Sequence, residues 1–136
     1  RCCCLSIDRD DPRSSLQTIY TAAELIKNDA VSIGVYPEGT RSQNCVLLPF
    51  HNGVFKIAKK ANVPVVVVCT QGTEKIHINF PLKRSHVSVK VTDVIPAEYV
   101  QSHKTEEIGE RVRESLLECL NANDEAVNTE CCVSAK

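Results

Sequence analysis

Apolar and polar positions along this chain follow two periods, and the switches between them mark the predicted elements. Cys2 to Ile7 is β-rich and ends in the polar cluster Asp8-Arg9-Asp10-Asp11, which predicts a strand and then a turn. Asp11 before Pro12 has the residue types of a helix start: a carboxylate accepts from free first-turn amides, and proline has no amide to leave unpaired. Leu16, Ile19, Tyr20, Ala23 and Ile26 then recur at helical spacing, so a helix is expected from about Pro12 to Lys27. Val31 to Tyr36 reads as a second strand, stopped by Pro37 and Gly39.

Val54, Ile57, Ala58 and Ala61 form a short apolar stripe opposite Lys56, Lys59 and Lys60, the pattern of a surface helix. The unbroken run Val63 to Cys69 predicts a strand buried on both faces, and with the strand and helix before it suggests a βαβ crossover. Lys75 to Phe80 and His86 to Val91 alternate and are expected to pair as a hairpin around Pro81-Leu82-Lys83-Arg84-Ser85. Ile108, Val112, Leu116 and Leu120 mark a last helix, with Glu106, Glu107 and Glu110 near its positive end and Arg111 and Arg113 further along. The sequence from Asn121 onward is polar and reads as a frayed tail. The alternation of strand and helix signals gives an α/β class, a mixed sheet flanked by helices, over residues 1–121, with 122–136 as the polar tail.

Composition narrows the partners. A length of 136 residues suits one domain with a core of its own. The net charge of −1 and the scarcity of aromatic residues give no support for a nucleic-acid partner. The run Val63 to Cys69 is far too short to span a bilayer, so no transmembrane segment is expected here. Of the eight cysteines, Cys2, Cys3 and Cys4 are contiguous and Cys131 and Cys132 adjacent, with no zinc-ligand spacing; no metal site is expected, and a reducing environment fits. Cys45, Cys69 and Cys119 are read as small buried hydrophobes. The opening Arg1-Cys2-Cys3-Cys4 and the lack of any methionine suggest a processed chain or an excised piece.

The candidate chemistry lies on the loop after the second predicted strand, at the edge where open α/β sheets bind ligands. Arg41 offers a planar fork of donors to phosphate oxygens, Gly39 lets main-chain amides approach a ligand, and Thr40 and Ser42 add hydroxyl donors. Glu38 repels an anion, so its expected task is to orient Arg41 or another basic group, or to accept from a substrate hydroxyl. Arg9 stands just past the first predicted strand and would converge with Arg41 if the two strands are parallel neighbours. A surface turn with a Glu–Arg pair, and a helix-entry turn around Arg9, fit the same residues at this stage.

Tyr36-Pro37-Glu38-Gly39-Thr40-Arg41-Ser42 resembles the aromatic-Pro-Glu-Gly-Thr-Arg-Ser block of the glycerolipid acyltransferases, typified by the 1-acylglycerol-3-phosphate acyltransferases. Ile7-Asp8-Arg9 resembles that family's second motif and Val63-Pro64-Val65-Val66 its fourth. Leu48-Pro49-Phe50, Gly53-Val54-Phe55 and Ala58 resemble the stretch after the Arg-Ser block, so the likeness runs in order from Ile7 to about Val68. It implies a glycerol-3-phosphate acyltransferase-like fold and transfer of a fatty acyl group from acyl-CoA or acyl carrier protein to a lysophospholipid phosphate, without a bound cofactor. It also implies that Arg9, Glu38, Gly39, Thr40, Arg41 and Ser42 hold the acceptor phosphate, and that Val63, Pro64, Val65 and Val66 shape the acyl-substrate side.

The family's first motif, His-x-x-x-x-Asp, supplies the general base. None of His51, His77, His86 and His103 has an aspartate five positions on, so no catalytic residue is expected in this chain, which is read as incomplete at its N-terminus. His51 stands where the family often has lysine, and is either an anion contact or a surface histidine. Lys56, Lys59, Lys60, Lys83 and Arg84 suit either a solvated face or peripheral contact with an anionic leaflet on the cytoplasmic side. Three readings follow: a lysophosphatidic acid acyltransferase, an acyltransferase for another glycerolipid acceptor, or a non-catalytic phosphate- or lipid-binding module.

Overall fold

The computed structural model describes residues 4–5, 11–28, 31–40, 46–73 and 76–133. Helix α1 spans Pro12–Lys27, the predicted bounds. The Asp11 carboxylate accepts from the Arg13 amide at 2.9 Å, and Pro12 occupies the first turn. Ala22 and Ala23 are the buried residues of α1, which packs against helix α2, Lys56–Ala61. The Lys60 ammonium lies 3.9 Å from the centre of the Tyr20 ring across that junction. A 3₁₀ turn, Asn52–Phe55, leads into α2, and Asn62 ends it in the left-handed conformation at φ 56°.

Strand β1, Val65–Gln71, pairs antiparallel with β2, Ser88–Ile95, in the one sheet among the described residues. Between them lies a one-turn helix α3, Ile76–Asn79. Helix α4, Ala97–Ser102, and the long α5, Thr105–Val133, follow. The core gathers Phe55, Ala58, Val67, Ile95, Val100, Ile108 and Val112, where α5 and the 3₁₀ turn meet one face of the sheet. The chain is therefore α/β, with a small antiparallel sheet.

The register sets the two faces of that sheet. Directly opposed residues share a face, so Val66 with Val94, Val68 with Val91, and Thr70 with Val89 form one row, and its five valines are 46–66% exposed. Val67, Cys69 and Ile95 point the other way and are buried. A bulge between Val67 and Val68 leaves Thr92 as the extra residue of β2, and its hydroxyl donates to the Val67 carbonyl at 3.4 Å. Past the bulge, Asp93 is turned toward α5, where Arg111 holds it with two bonds, of 2.8 and 3.2 Å.

Several expectations are corrected. The run Val63 to Cys69 is not buried on both faces, because among the described residues a helix covers only one of them. Val31 to Tyr36 belongs to no strand: its described residues make no ladder, and Gly34 interrupts them. Among the described residues β1 thus has no parallel partner of the kind a βαβ crossover requires. The hairpin of residues 75–80 with 86–91 is replaced by α3, whose polar groups are satisfied locally. Phe80 N–H donates to Ile76 O at 2.9 Å, Lys83 N–H to Asn79 O at 2.7 Å, and the Asn79 amide to the Ser85 hydroxyl at 3.0 Å. The sequence beyond Asn121 is helical to Val133, since no glycine or proline follows Gly109. Of the first predicted strand, Cys4 and Leu5 carry no strand and the rest lies outside the described residues.

Candidate functional site

The Tyr36-Pro37-Glu38-Gly39 segment is a tight turn. Its closing bond runs from the Gly39 amide to the Tyr36 carbonyl at 3.1 Å, with proline at the second position. Gly39 has φ 64°, a conformation a side chain would strain, so the glycine is required by the backbone. Turn and following loop are tied together twice. The Glu38 carboxylate accepts from the Leu48 amide at 2.9 Å, and the His51 amide donates to the Pro37 carbonyl at 2.8 Å.

The same loop is held from the other side by α5. The Arg113 guanidinium donates to the Leu48 carbonyl at 2.8 Å and to the Leu47 carbonyl at 3.3 Å, and lies 5.8 Å from the centre of the Phe50 ring. Gly109, one turn earlier, sits so close to the 3₁₀ turn that a Cβ there would collide with the Asn52 side chain and meet the Phe55 ring at 3.3 Å. The absent side chain lets α5 reach the loop. Pro49, Phe50, Asn52, Gly109, Glu110 and Arg113 surround a hollow of about 250 Å³ at this junction.

Of the predicted phosphate ligands, the structure places Glu38, Gly39 and Thr40 on the turn; Arg9, Arg41 and Ser42 lie outside the described residues. Val63 and Val65 are half-buried at the entry to β1, while Pro64 and Val66 are exposed. His51 is exposed. Cys69 and Cys119 are buried thiols, as read from sequence, whereas Cys45 falls outside the described residues. Burial, reinforced by neighbouring Cys119, pushes the Cys69 thiol up to about 11, which keeps it protonated and unreactive near neutrality. Among the described residues no group of three or more His, Cys, Asp or Glu side chains is placed to hold a metal, and no helix is long and apolar enough to cross a membrane.

Sequence reasoning missed Arg113 as part of the site. Arg111 and Arg113 are two apart, so they face different directions: one takes Asp93 and the other the loop. Nothing local in the sequence separates these tasks.

The site thus consists of a braced, glycine-bearing turn in a small α/β unit, and comparison with known proteins narrows the class. The family model described as Acyltransferase matches residues 1–71, the half of the chain that holds this turn. The chain is 34% identical over 107 residues to a 1-acyl-sn-glycerol-3-phosphate acyltransferase of Escherichia coli, covering 78% of this chain and 42% of that protein. A chloroplastic protein of the same name from Brassica napus is 46% identical over 70 residues, 52% of this chain and 20% of its own length. The human 1-acyl-sn-glycerol-3-phosphate acyltransferase alpha is 27% identical over 113 residues, 82% of this chain and 40% of its own. No solved structure matches significantly. This chain belongs to the acyltransferase family, and it spans less than half the length of these curated relatives.

Proposed function

We propose that this chain is the acceptor-binding part of an enzyme that moves a fatty acyl group from an acyl thioester to the free hydroxyl of 1-acylglycerol 3-phosphate, forming phosphatidic acid. The observation that carries the reading is the braced turn Tyr36–Thr40 inside the family match, with Arg41 and Ser42 directly following it. Arg41 and Arg9 supply charge and paired donors to the phosphate, and Gly39, Thr40 and Ser42 supply close backbone and hydroxyl contacts. Glu38 braces the turn through Leu48, and in this reading its carboxylate also orients a guanidinium. Val63 to Val66 border the acyl-substrate side.

In the reaction the acceptor oxygen attacks the thioester carbonyl, the C–O bond forms, and the C–S bond breaks to release the thiol. The hydroxyl proton passes to a base and on to the departing sulfur. No histidine in these 136 residues has an aspartate five positions on, so we assign the base to a His-x-x-x-x-Asp pair outside them, in a domain of the glycerol-3-phosphate acyltransferase type to which residues 1–121 contribute. The donor is acyl-CoA or acyl carrier protein, and the chemistry needs no metal or other cofactor. Peripheral contact with the cytoplasmic leaflet falls to Lys56, Lys83 and Arg84, because Lys59 is bonded to the His103 carbonyl and Lys60 lies over Tyr20.

The test is titration calorimetry of this chain with glycerol 3-phosphate. Arg41→Ala is expected to weaken binding at least about tenfold, the loss of a charge-assisted fork, and Lys60→Ala to leave it within about twofold. Equal effects of the two would refute the assigned site. The chain alone is expected to give no turnover of lysophosphatidic acid with an acyl thioester. If the full-length protein binds the acceptor and also gives none, the non-catalytic module is the correct reading.

A further inference from the structure

Phe80 and Leu82 stand 79% and 93% exposed in the connection between α3 and β2. Apolar side chains scattered singly over a surface are ordinary. These two differ in how their turn is held and in the charge beside them. Phe80 N–H donates to the Ile76 carbonyl at 2.9 Å, Lys83 N–H to the Asn79 carbonyl at 2.7 Å, and the Asn79 amide to the Ser85 hydroxyl at 3.0 Å. Asn79 thus bonds to residues on the far side of the turn through both its main chain and its side chain, which holds residues 80–84 as a tip. The amides of Phe80 and Lys83 are bonded within it, and Pro81 has none to satisfy. Such a tip leaves water at less cost than an open loop, whose free N–H groups would each lose a hydrogen bond.

Lys83 and Arg84 follow the apolar pair directly. Both are exposed, and among the described residues neither has an ion-pair partner. Between Glu74 and Asp93 the sequence carries Lys75, Lys83, Arg84 and Lys90 and no carboxylate, although the net charge of the whole chain is −1. The tip is therefore an apolar point in a cationic surround. An anionic bilayer complements both parts at once, with negative charge at its surface and hydrocarbon beneath it. Long basic side chains keep their charges among the headgroups while apolar neighbours go deeper.

We propose that residues 80–84 are an interfacial anchor: the Phe80 and Leu82 side chains enter the acyl boundary of an anionic leaflet, and Lys83 and Arg84 hold its headgroup phosphates. The proposal rests on the leaflet contact inferred above and names the side chains that insert. It does not depend on the acceptor site at Arg41.

The chain contains no tryptophan, so Leu82→Trp gives a single reporter of the tip's surroundings. Its emission is expected to move to shorter wavelength with phosphatidylcholine vesicles containing about a third phosphatidylglycerol, and to be quenched by lipids brominated on their acyl chains. Phosphatidylcholine alone is expected to do neither. In co-sedimentation with the anionic vesicles, the pair Phe80→Ser and Leu82→Ser is expected to weaken binding at least about tenfold, and Lys83→Gln and Arg84→Gln about fivefold each. Binding that responds to the glutamines but not to the serines, with no change in tryptophan emission, overturns the insertion and leaves the leaflet contact standing. If neither this chain nor the full-length protein binds either vesicle, the leaflet contact fails as well. Emission already shifted before vesicles are added, with a dimer in sedimentation, means that a second copy covers the tip, and also overturns the proposal. Should the chain not fold alone, the serine pair is placed in the full-length protein. Activity toward lysophosphatidic acid is then expected to fall at least about fivefold in anionic vesicles and to stay within about twofold in detergent micelles. Equal losses in the two, or none in vesicles, overturn the anchor.

Discussion

Replacing Asp93 by asparagine removes the charge from the contact that ties β2 to α5 while keeping its shape. Two bonds, of 2.8 and 3.2 Å, join its carboxylate to Arg111, whose guanidinium also lies 4.6 Å from the centre of the Tyr99 ring. The Asp93 side chain is 22% exposed and that of Arg111 34%. A fully desolvated contact to a charged group contributes about 1.5–3 kcal/mol and a surface ion pair about 0.2–1, so a bidentate pair at this exposure, discounted for solvent screening, contributes about 1 kcal/mol. For a chain of this length that corresponds to a loss of about 4 °C in Tm at pH 7. The hydrogen bond from Arg111, foremost, holds the Asp93 carboxyl below the usual carboxylate range. A group whose pKa is lowered by folding contributes stability above its unfolded value, and that contribution disappears as the pH falls through the folded one. The gap between native and Asp93→Asn melting temperatures, followed by circular dichroism, is therefore expected to be constant from pH 8 to about pH 4 and to shrink below it. No gap at pH 7, or a gap as large at pH 2 as at pH 7, would refute an electrostatic role for the pair.

Two further expectations concern the end of β1 and the thiols. Gly72 has φ 84°, and a Cβ there would run into the His86 carbonyl oxygen, so Gly72→Ala is expected to cost on the order of 1–3 kcal/mol, measured as a lowered urea midpoint. An unchanged midpoint would mean that the end of β1 does not need this conformation. Exposed Cys4 is expected to be alkylated by iodoacetamide at pH 8 in the native chain, with Cys69 and Cys119 reacting only as urea unfolds it; peptide mass spectrometry reads each site. Modification of native Cys69 at the rate of Cys4 would contradict its burial.

The elements most legible in the sequence are those whose ends are written in local chemistry. Asp11-Pro12 fixed the start of α1, and the alternation of apolar stripe with lysines located α2. Long-range pairing was less legible, because alternation marks a potential strand without naming its partner: His86 to Val91 was given a partner at residues 75–80, whereas its later residues belong to β2, which pairs with β1. The predicted stretch also stopped short of Ile95, since the extra residue Thr92 breaks the alternation that revealed it. In the candidate site, the turn was readable from Pro37 and Gly39, whose types the backbone demands. The partners that brace it were not. Glu38 bonds a main-chain amide and Arg113 main-chain carbonyls, and every residue but proline offers the same two groups, so side-chain identity at Leu47 and Leu48 carries no trace of the contact.

The extra residue in β2 makes the pairing of that strand as informative as its composition. Val89 and Val91 lie two apart on the outer row, yet Val94, three further on, joins them, because Thr92 absorbs one step of the pleat. Removing Thr92 would restore plain alternation and leave every remaining side chain on its present side, whereas drawing Thr92 into the regular ladder would reverse the sides of all those beyond it. In that straightened ladder Asp93 would turn outward among the valines, Val94 would replace it opposite Arg111, and Ile95 would leave the core. Along this strand the bulge therefore decides which side chains meet α5, and a sequence that keeps α5 seated can lose Thr92 itself more readily than it can keep the residue and lose the bulge.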